Sequence, residues 1–195
     1  DACGNTTTVV QTITVTDNTF PLATAPTTID IECGNAAPVG ATDYAGFIGL
    51  GGTTSDNCTP NASLVIAYTD GALVGTDCSG TIARSYTITD ACGNTTTVVQ
   101  TITVTDNTFP LASAPTTIDI ECGNAAPLGA TTYAGFTGLG GTASDNCTAN
   151  ASLVIAYLDG PLVGTNCSGT IARSYTITDA CGNTTTCAQV FTWTV

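Results

Sequence analysis

Short runs in which apolar and polar residues alternate, separated by Gly, Asn and Asp, fill most of this chain. In residues 27–33 (TTIDIEC) Ile29, Ile31 and Cys33 share one face, with Asp30 and Glu32 on the other. This period of two predicts a half-buried strand. A weaker strand is expected near 51–55, ending in the Asp-Asn-Cys turn at 56–58. Residues 63–68 (SLVIAY) form a near-continuous apolar run and predict a central strand. Thr69-Asp70-Gly71 turns the chain, and 72–74 reads as a short sheet-switching piece. Residues 81–89 (TIARSYTIT) alternate again, placing Ile82, Arg84, Tyr86 and Ile88 on one face. After a turn at 90–94, residues 95–105 predict the last strand, with Val98, Ile102 and Val104 inward and threonines outward. The Gly- and Ala-rich stretch between the first two strands reads as a loop whose Tyr44 and Phe47 cap one end of the core. No segment holds a 3.6-residue apolar period over three turns. The chain therefore predicts an all-β fold with about seven short strands per unit, an immunoglobulin-like sandwich.

The pattern repeats. The motif DACGNTTT begins at Asp1, Asp90 and Asp179, a step of 89 residues each time. Two full units follow, residues 17–105 and 106–195, led by residues 1–16, which match only the final strand of a unit. Across the 81 positions from 17 to 97, nine residues differ from their counterparts: Thr24/Ser113, Val39/Leu128, Asp43/Thr132, Ile48/Thr137, Thr54/Ala143, Pro60/Ala149, Thr69/Leu158, Ala72/Pro161 and Asp77/Asn166. Copies this close predict a tandem array. The third copy of the last strand departs, with Cys187, Phe191 and Trp193 where Val98, Ile102 and Val104 stand.

Composition narrows the picture. The 10 cysteines, with no His and no Met, predict an oxidising, extracellular setting in which disulfides staple small units. Fifteen acids against Arg84 and Arg173 leave a net charge of -13, which argues against nucleic acid as a partner and fits divalent cations. No apolar stretch approaches the roughly 20 residues of a membrane span; any export signal or anchor is expected outside this segment. Without His, and with the acids in repeated turns, nothing supports catalysis, and the absence of Lys rules out Lys-Asn isopeptide crosslinks. Arg84 lies on the apolar face, where its stem is expected to pack while its guanidinium meets a carboxylate or carbonyls at the rim. Sequons occur at Asn5, Asn57, Asn61, Asn94, Asn146, Asn150, Asn166 and Asn183, several in turns beside cysteines, where a structural use is the simpler expectation.

Strand directions constrain the disulfides. If the first strand runs down, Cys33 and Cys78 lie at the bottom of a unit, and Cys58 and Cys92 at the top. The predicted pairs are Cys33 with Cys78, Cys58 with Cys92, Cys122 with Cys167 and Cys147 with Cys181, because bridged Cα atoms lie within about 7 Å. Cys58 with Cys78 is the rival. Cys3, the counterpart of Cys92, is expected to pair outside this segment, and Cys187 outside it or with another chain. Asp106, at the end of a last strand, is expected to meet Asp145 and Asp179 in turns of the next unit, as Asp17, Asp56 and Asp90 meet one unit earlier. Three carboxylates with turn carbonyls and water suit Ca²⁺. The competing use of these acids is hydrogen bonding to their own turns.

The order DNC, a strand, RSYTITDACGN and then QTITVTDNTFP resembles the hyalin-like (HYR-like) immunoglobulin-type repeats of very large surface proteins, notably of Bacteroidetes-type bacteria. The resemblance covers both units and the leading strand. It implies spacers in extracellular adhesins and surface fibres. Many such repeats carry a cysteine in the last strand with a partner near the first; here only Cys187 is of that kind. The leading functional expectation is a structural stalk or fibre module giving length and stiffness, with neighbouring repeats of the chain as its contacts. The alternatives are a ligand-binding adhesin module, using loop positions that differ between units, and a filament subunit that contacts other copies of itself.

Overall fold

The computed structural model describes residues 1–165 and 167–194. Asn166, one of the sequons, and Val195 lie outside the described residues. The chain is all-β, with 42% of residues in strands and 9% in helix, arranged as two sandwich-like repeats. The first contains β1 (Leu22–Thr24), β2 (Ile29–Glu32), α1 (Tyr44–Gly49), β3 (Thr53–Ser55), β4 (Val65–Asp70), β5 (Val74–Thr76), β6 (Ser79–Thr89) and β7 (Thr95–Thr105). The second contains β8 (Leu111–Ser113), β9 (Ile118–Glu121), α2 (Tyr133–Gly138), β10 (Thr142–Ser144), β11 (Val154–Asp159), β12 (Val163–Thr165), β13 (Ser168–Thr178) and β14 (Thr184–Thr194).

In the second repeat one sheet runs β11-β13-β14-β9, with β12 beside β13, and β8 pairs with β10 in a separate ribbon. All pairings are antiparallel except β9 with β14, where Ile118 stands opposite Phe191. That parallel pairing joins the beginning of the repeat to its end, and it sets Ile120, Phe191 and Trp193 in one buried cluster. The main core holds Phe136, Leu153, Ile155, Tyr175 and Ile177. The Phe136 ring meets Tyr175 edge-on at 5.0 Å between centroids, a favoured aromatic geometry. The first repeat follows the same plan: β2 runs parallel to β7, with Ile29 opposite Ile102, and Phe47 meets Tyr86 at 5.1 Å.

Two elements depart from the sequence reading. Residues 44–49 form one and a half turns of helix rather than a loop, started by the Asp43 carboxylate, which accepts from the Gly46 N–H at 2.7 Å. Phe47 on that helix is fully buried. The second is β1, paired with β3.

The chain divides into two compact units, and the division crosses the first repeat instead of falling at 105/106. One unit comprises residues 1–27, 39–71 and 84–100, the other 28–38, 72–83 and 101–195. The end of the first repeat that carries Cys33 and Cys78 thus belongs with the second repeat, and the disulfides show why.

Candidate metal centre and disulfide joint

The site is built on one turn used twice. In DACGN the Asp90 carboxylate accepts from the Cys92 and Asn94 backbone N–H groups, each at 2.8 Å, and from the Asn94 side-chain amide at 2.7 Å. Gly93 closes the turn at φ 92°, a conformation that costs other residues but not glycine. Asp179, Cys181 and Asn183 repeat these bonds. A second turn sits alongside: Asp56 accepts from Cys58 and Thr59 N–H at 2.9 and 2.7 Å, and the Thr59 hydroxyl accepts from Ala91 N–H at 3.1 Å. Asn94 also donates to the Asp17 carbonyl at 3.2 Å, as Asn183 does to that of Asp106. Sequon asparagines 94 and 183 are therefore parts of these turns.

These turns bring acids together. Asp17, Asp56 and Asp90 each offer a carboxylate oxygen within 4.8 Å of the others. In the second repeat Asp106, Asp179 and Cys181 meet the same limit, and Asp145 acts on Asp106 through its charge. Cys181 is disulfide-bonded, so its sulfur is no thiolate ligand and the oxygens carry the chemistry. At Asp56 and Asp145 turn hydrogen bonding and cation binding use different atoms, whereas both carboxylate oxygens of Asp90 and Asp179 already accept turn hydrogen bonds. Asp56 and Asp145 each spend one carboxylate oxygen on the turn N–H groups. Their other oxygens, with Asp17 Oδ2 and Asp106 Oδ2, are buried and accept no hydrogen bond. Asp106 is only 6% exposed. Burial pushes its carboxyl above the ordinary value, a hydrogen bond from Thr108 offsets part of this, and Glu32, Asp145 and Asp179 push it further up. Asp90, by contrast, is held below the usual range: burial opposes this, but the hydrogen bonds from Asn94, Cys92 and Gly93 outweigh it.

Buried carboxylate oxygens without donors are costly unless a countercharge serves them. An all-oxygen, acid-rich donor set fits a hard cation such as Ca²⁺: Asp17, Asp56 and Asp90 would hold one ion, and Asp106 and Asp179 another, with the charge of Asp145 nearby. Glu32 adds an acid that the sequence reading did not include. Its carboxylate accepts from Asn107 N–H at 2.8 Å, Thr108 N–H at 3.0 Å and the Thr108 hydroxyl at 2.8 Å, which fixes the Asp-Asn-Thr segment following β7. The signal available was its place at the end of an alternating strand, beside Cys33.

The disulfides correct the pairing read from strand directions. Cys33 is bonded to Cys147, not Cys78, and Cys78 to Cys181, with Cα separations of 5.8 and 5.2 Å. Cys58 and Cys92, expected to pair, are both free and exposed. Cys122 and Cys167 are bonded to each other. The Cys33–Cys147 and Cys78–Cys181 bonds join cysteines of successive repeats, which strand directions within one repeat do not reveal. The bottom of the first repeat meets the top turns of the second, so four cysteines gather where two were considered. Asn146 reinforces the contact, donating to the Cys33 carbonyl at 3.1 Å. Cys3 is free, and Cys187 is free and half-buried against the core around Tyr175, which pushes its thiol up through burial.

No protein-family model matches the chain, and no curated protein matches its sequence. Among solved structures, it is similar to the protocadherin GammaB4 extracellular domain at 9% identity and a TM-score of 0.33, over 91% of this chain and 34% of that one. It is also similar to human CDH23 EC21-23 at 11% identity and a TM-score of 0.37, over 90% of this chain and 69% of that one. Human mucin-like protocadherin EC1-2 gives 10% identity and a TM-score of 0.35, over 89% and 98%. The chain thus spans about a third of the length of the first of these.

Proposed function

We propose that this chain is a spacer segment of an extracellular, repetitive surface protein of the HYR-like kind, without enzymatic activity, whose joints are stiffened by a divalent cation and by disulfides. The observation that carries the reading is the pair of buried, donor-less oxygens on Asp106 and Asp145, in a turn framework that recurs at Asp17 and Asp56. A cation there ties the segment following β7 to the turns around Asp145 and Asp179. Near-identical repeats, oxidised cysteines and a charge of -13 all suit an oxidising exterior rich in calcium. Among the described residues no helix is long and apolar enough to cross a membrane.

Thermal melting with Ca²⁺ or with a chelator tests it. At Ca²⁺ about 100-fold above its Kd, binding to the folded state adds about 2.7 kcal/mol per site, which for a chain of this size raises the midpoint by roughly 5–10 °C. Asp106→Asn should remove the part of the gain that belongs to the second site. Equal midpoints with and without chelator sink the cation reading.

A further inference from the structure

Cys58 and Cys92 are a second copy of a disulfide-bonding face whose first copy is already occupied. Their counterparts, Cys147 and Cys181, hold Cys33 and Cys78. The frame that presents them is the same in both repeats. Thr59 and Ala91, the residues beside them, are hydrogen-bonded at 3.1 Å, as Thr148 and Ala180 are at 3.0 Å. Asn57 donates to the Cys58 sulfur at 3.2 Å and Asn146 to the Cys147 sulfur at 3.0 Å. In the occupied copy Asn146 also reaches the Cys33 carbonyl. At the far end of the second repeat, Cys122 and Cys167, the counterparts of Cys33 and Cys78, are bonded to each other with Cα atoms 4.4 Å apart. The structure therefore contains the crossed form of this four-cysteine arrangement and, separately, both of its uncrossed halves.

We infer that Cys58 and Cys92 are the docking face for the bottom end of another repeat of this kind, bonding in fixed register, Cys58 to the cysteine equivalent to Cys122 and Cys92 to that equivalent to Cys167. The inference rests on reading the chain as a repeat module and names the partner of its free end. The chemistry is thiol–disulfide exchange followed by one oxidation. The Cys58 thiolate attacks the Cys122 sulfur, the Cys122–Cys167 bond breaks, and the Cys167 sulfur leaves as thiolate. The Cys92 and Cys167 thiols then give up two electrons and two protons to a small-molecule disulfide such as oxidised glutathione, which departs as two thiols. The incoming repeat is the second repeat of another copy of the chain, which carries the Cys122–Cys167 bond that is attacked.

Peptide mapping without reduction, after equilibration with oxidised and reduced glutathione, tests this on two samples. The first is the chain itself, mixed as light- and heavy-isotope forms. The second is the chain lengthened by one more 89-residue repeat ahead of Asp1. The expected products are peptides linking Cys58 to Cys122 and Cys92 to Cys167 between light and heavy copies. Links seen only to the added repeat within the lengthened chain place the partner in the same polypeptide and overturn the second-copy assignment. The inference is overturned if, in both samples, Cys58 and Cys92 bond to each other, remain open to alkylation, or link in the opposite register. A calcium-dependent melting shift that persists in that case leaves the spacer reading standing and removes only the disulfide lock.

Discussion

At the residue scale, the most buried charges are two arginines. Arg84 is 1% exposed, lies on the sheet's inner face, and donates to both oxygens of Asp70 at 2.6 and 2.8 Å while its guanidinium covers the Tyr68 ring at 4.7 Å. Arg173 does the same with Asp159 and also reaches the Pro127 carbonyl at 2.7 Å. Strand alternation made the position of Arg84 legible, and the chemistry of a buried guanidinium made a carboxylate partner the natural expectation. Gln100 was not legible: it occupies an inward position between Val98 and Ile102, and only the fold reveals the Thr27 carbonyl it bonds at 2.6 Å. The arginine hydrogen bonds hold Asp70 and Asp159 below their ordinary value, against the opposing effect of burial. Because the folded-state value is the lower one, this stabilisation is complete above the ordinary carboxylate range and is lost as pH falls through the depressed value. Denaturant melts should therefore weaken steeply below about pH 4, and the Asp70→Asn, Asp159→Asn double variant should show a flatter acid limb. At neutral pH Asp70→Asn should cost on the order of 2 kcal/mol, with Asp159→Asn costing somewhat less because its carboxylate is more exposed and better screened.

At the scale of elements, the strands were legible because alternation and apolar runs follow directly from half-buried sheets. The helices were not, because six residues cannot show a helical period. Their trace was subtler: Asp43 and Thr132 differ between the repeats, yet both side chains cap the helix start, at 2.7 and 3.1 Å from the third N–H beyond. The helix works by pressing Phe47 into the core, and Gly52 makes the space: a Cβ there would lie 2.6 Å from the Phe47 ring. Gly52→Ala should destabilise the first repeat by about 1–3 kcal/mol through overpacking, measured by urea unfolding, and Gly141→Ala should do the same beside Phe136. Asp43→Ala should cost about 1 kcal/mol, with Asp43→Thr nearly neutral because Thr132 makes the same cap in the second repeat. An Asp43→Thr loss as large as that of Asp43→Ala would remove the capping account.

For the whole molecule, the acid clusters were legible from where the strands begin and end, whereas the cysteine partners were not, since a repeat considered alone hides the neighbour that meets it. The bond between Cys33 and Cys147 closes a loop spanning 114 positions of sequence. That bond changes how the chain bears tension. A pull on the two termini passes from Cys33 directly to Cys147, so the strands between them carry no load even if they unfold. At ~3.5 Å per residue, roughly 400 Å of contour stays hidden while the bond is intact. Single-molecule extension should show that length only after reduction, and its release in oxidised protein would contradict the crossed connectivity. A string of such joints would behave under drag as a tether with locked reserves, the stretch inside each bridged loop free to lose its fold without letting that length out.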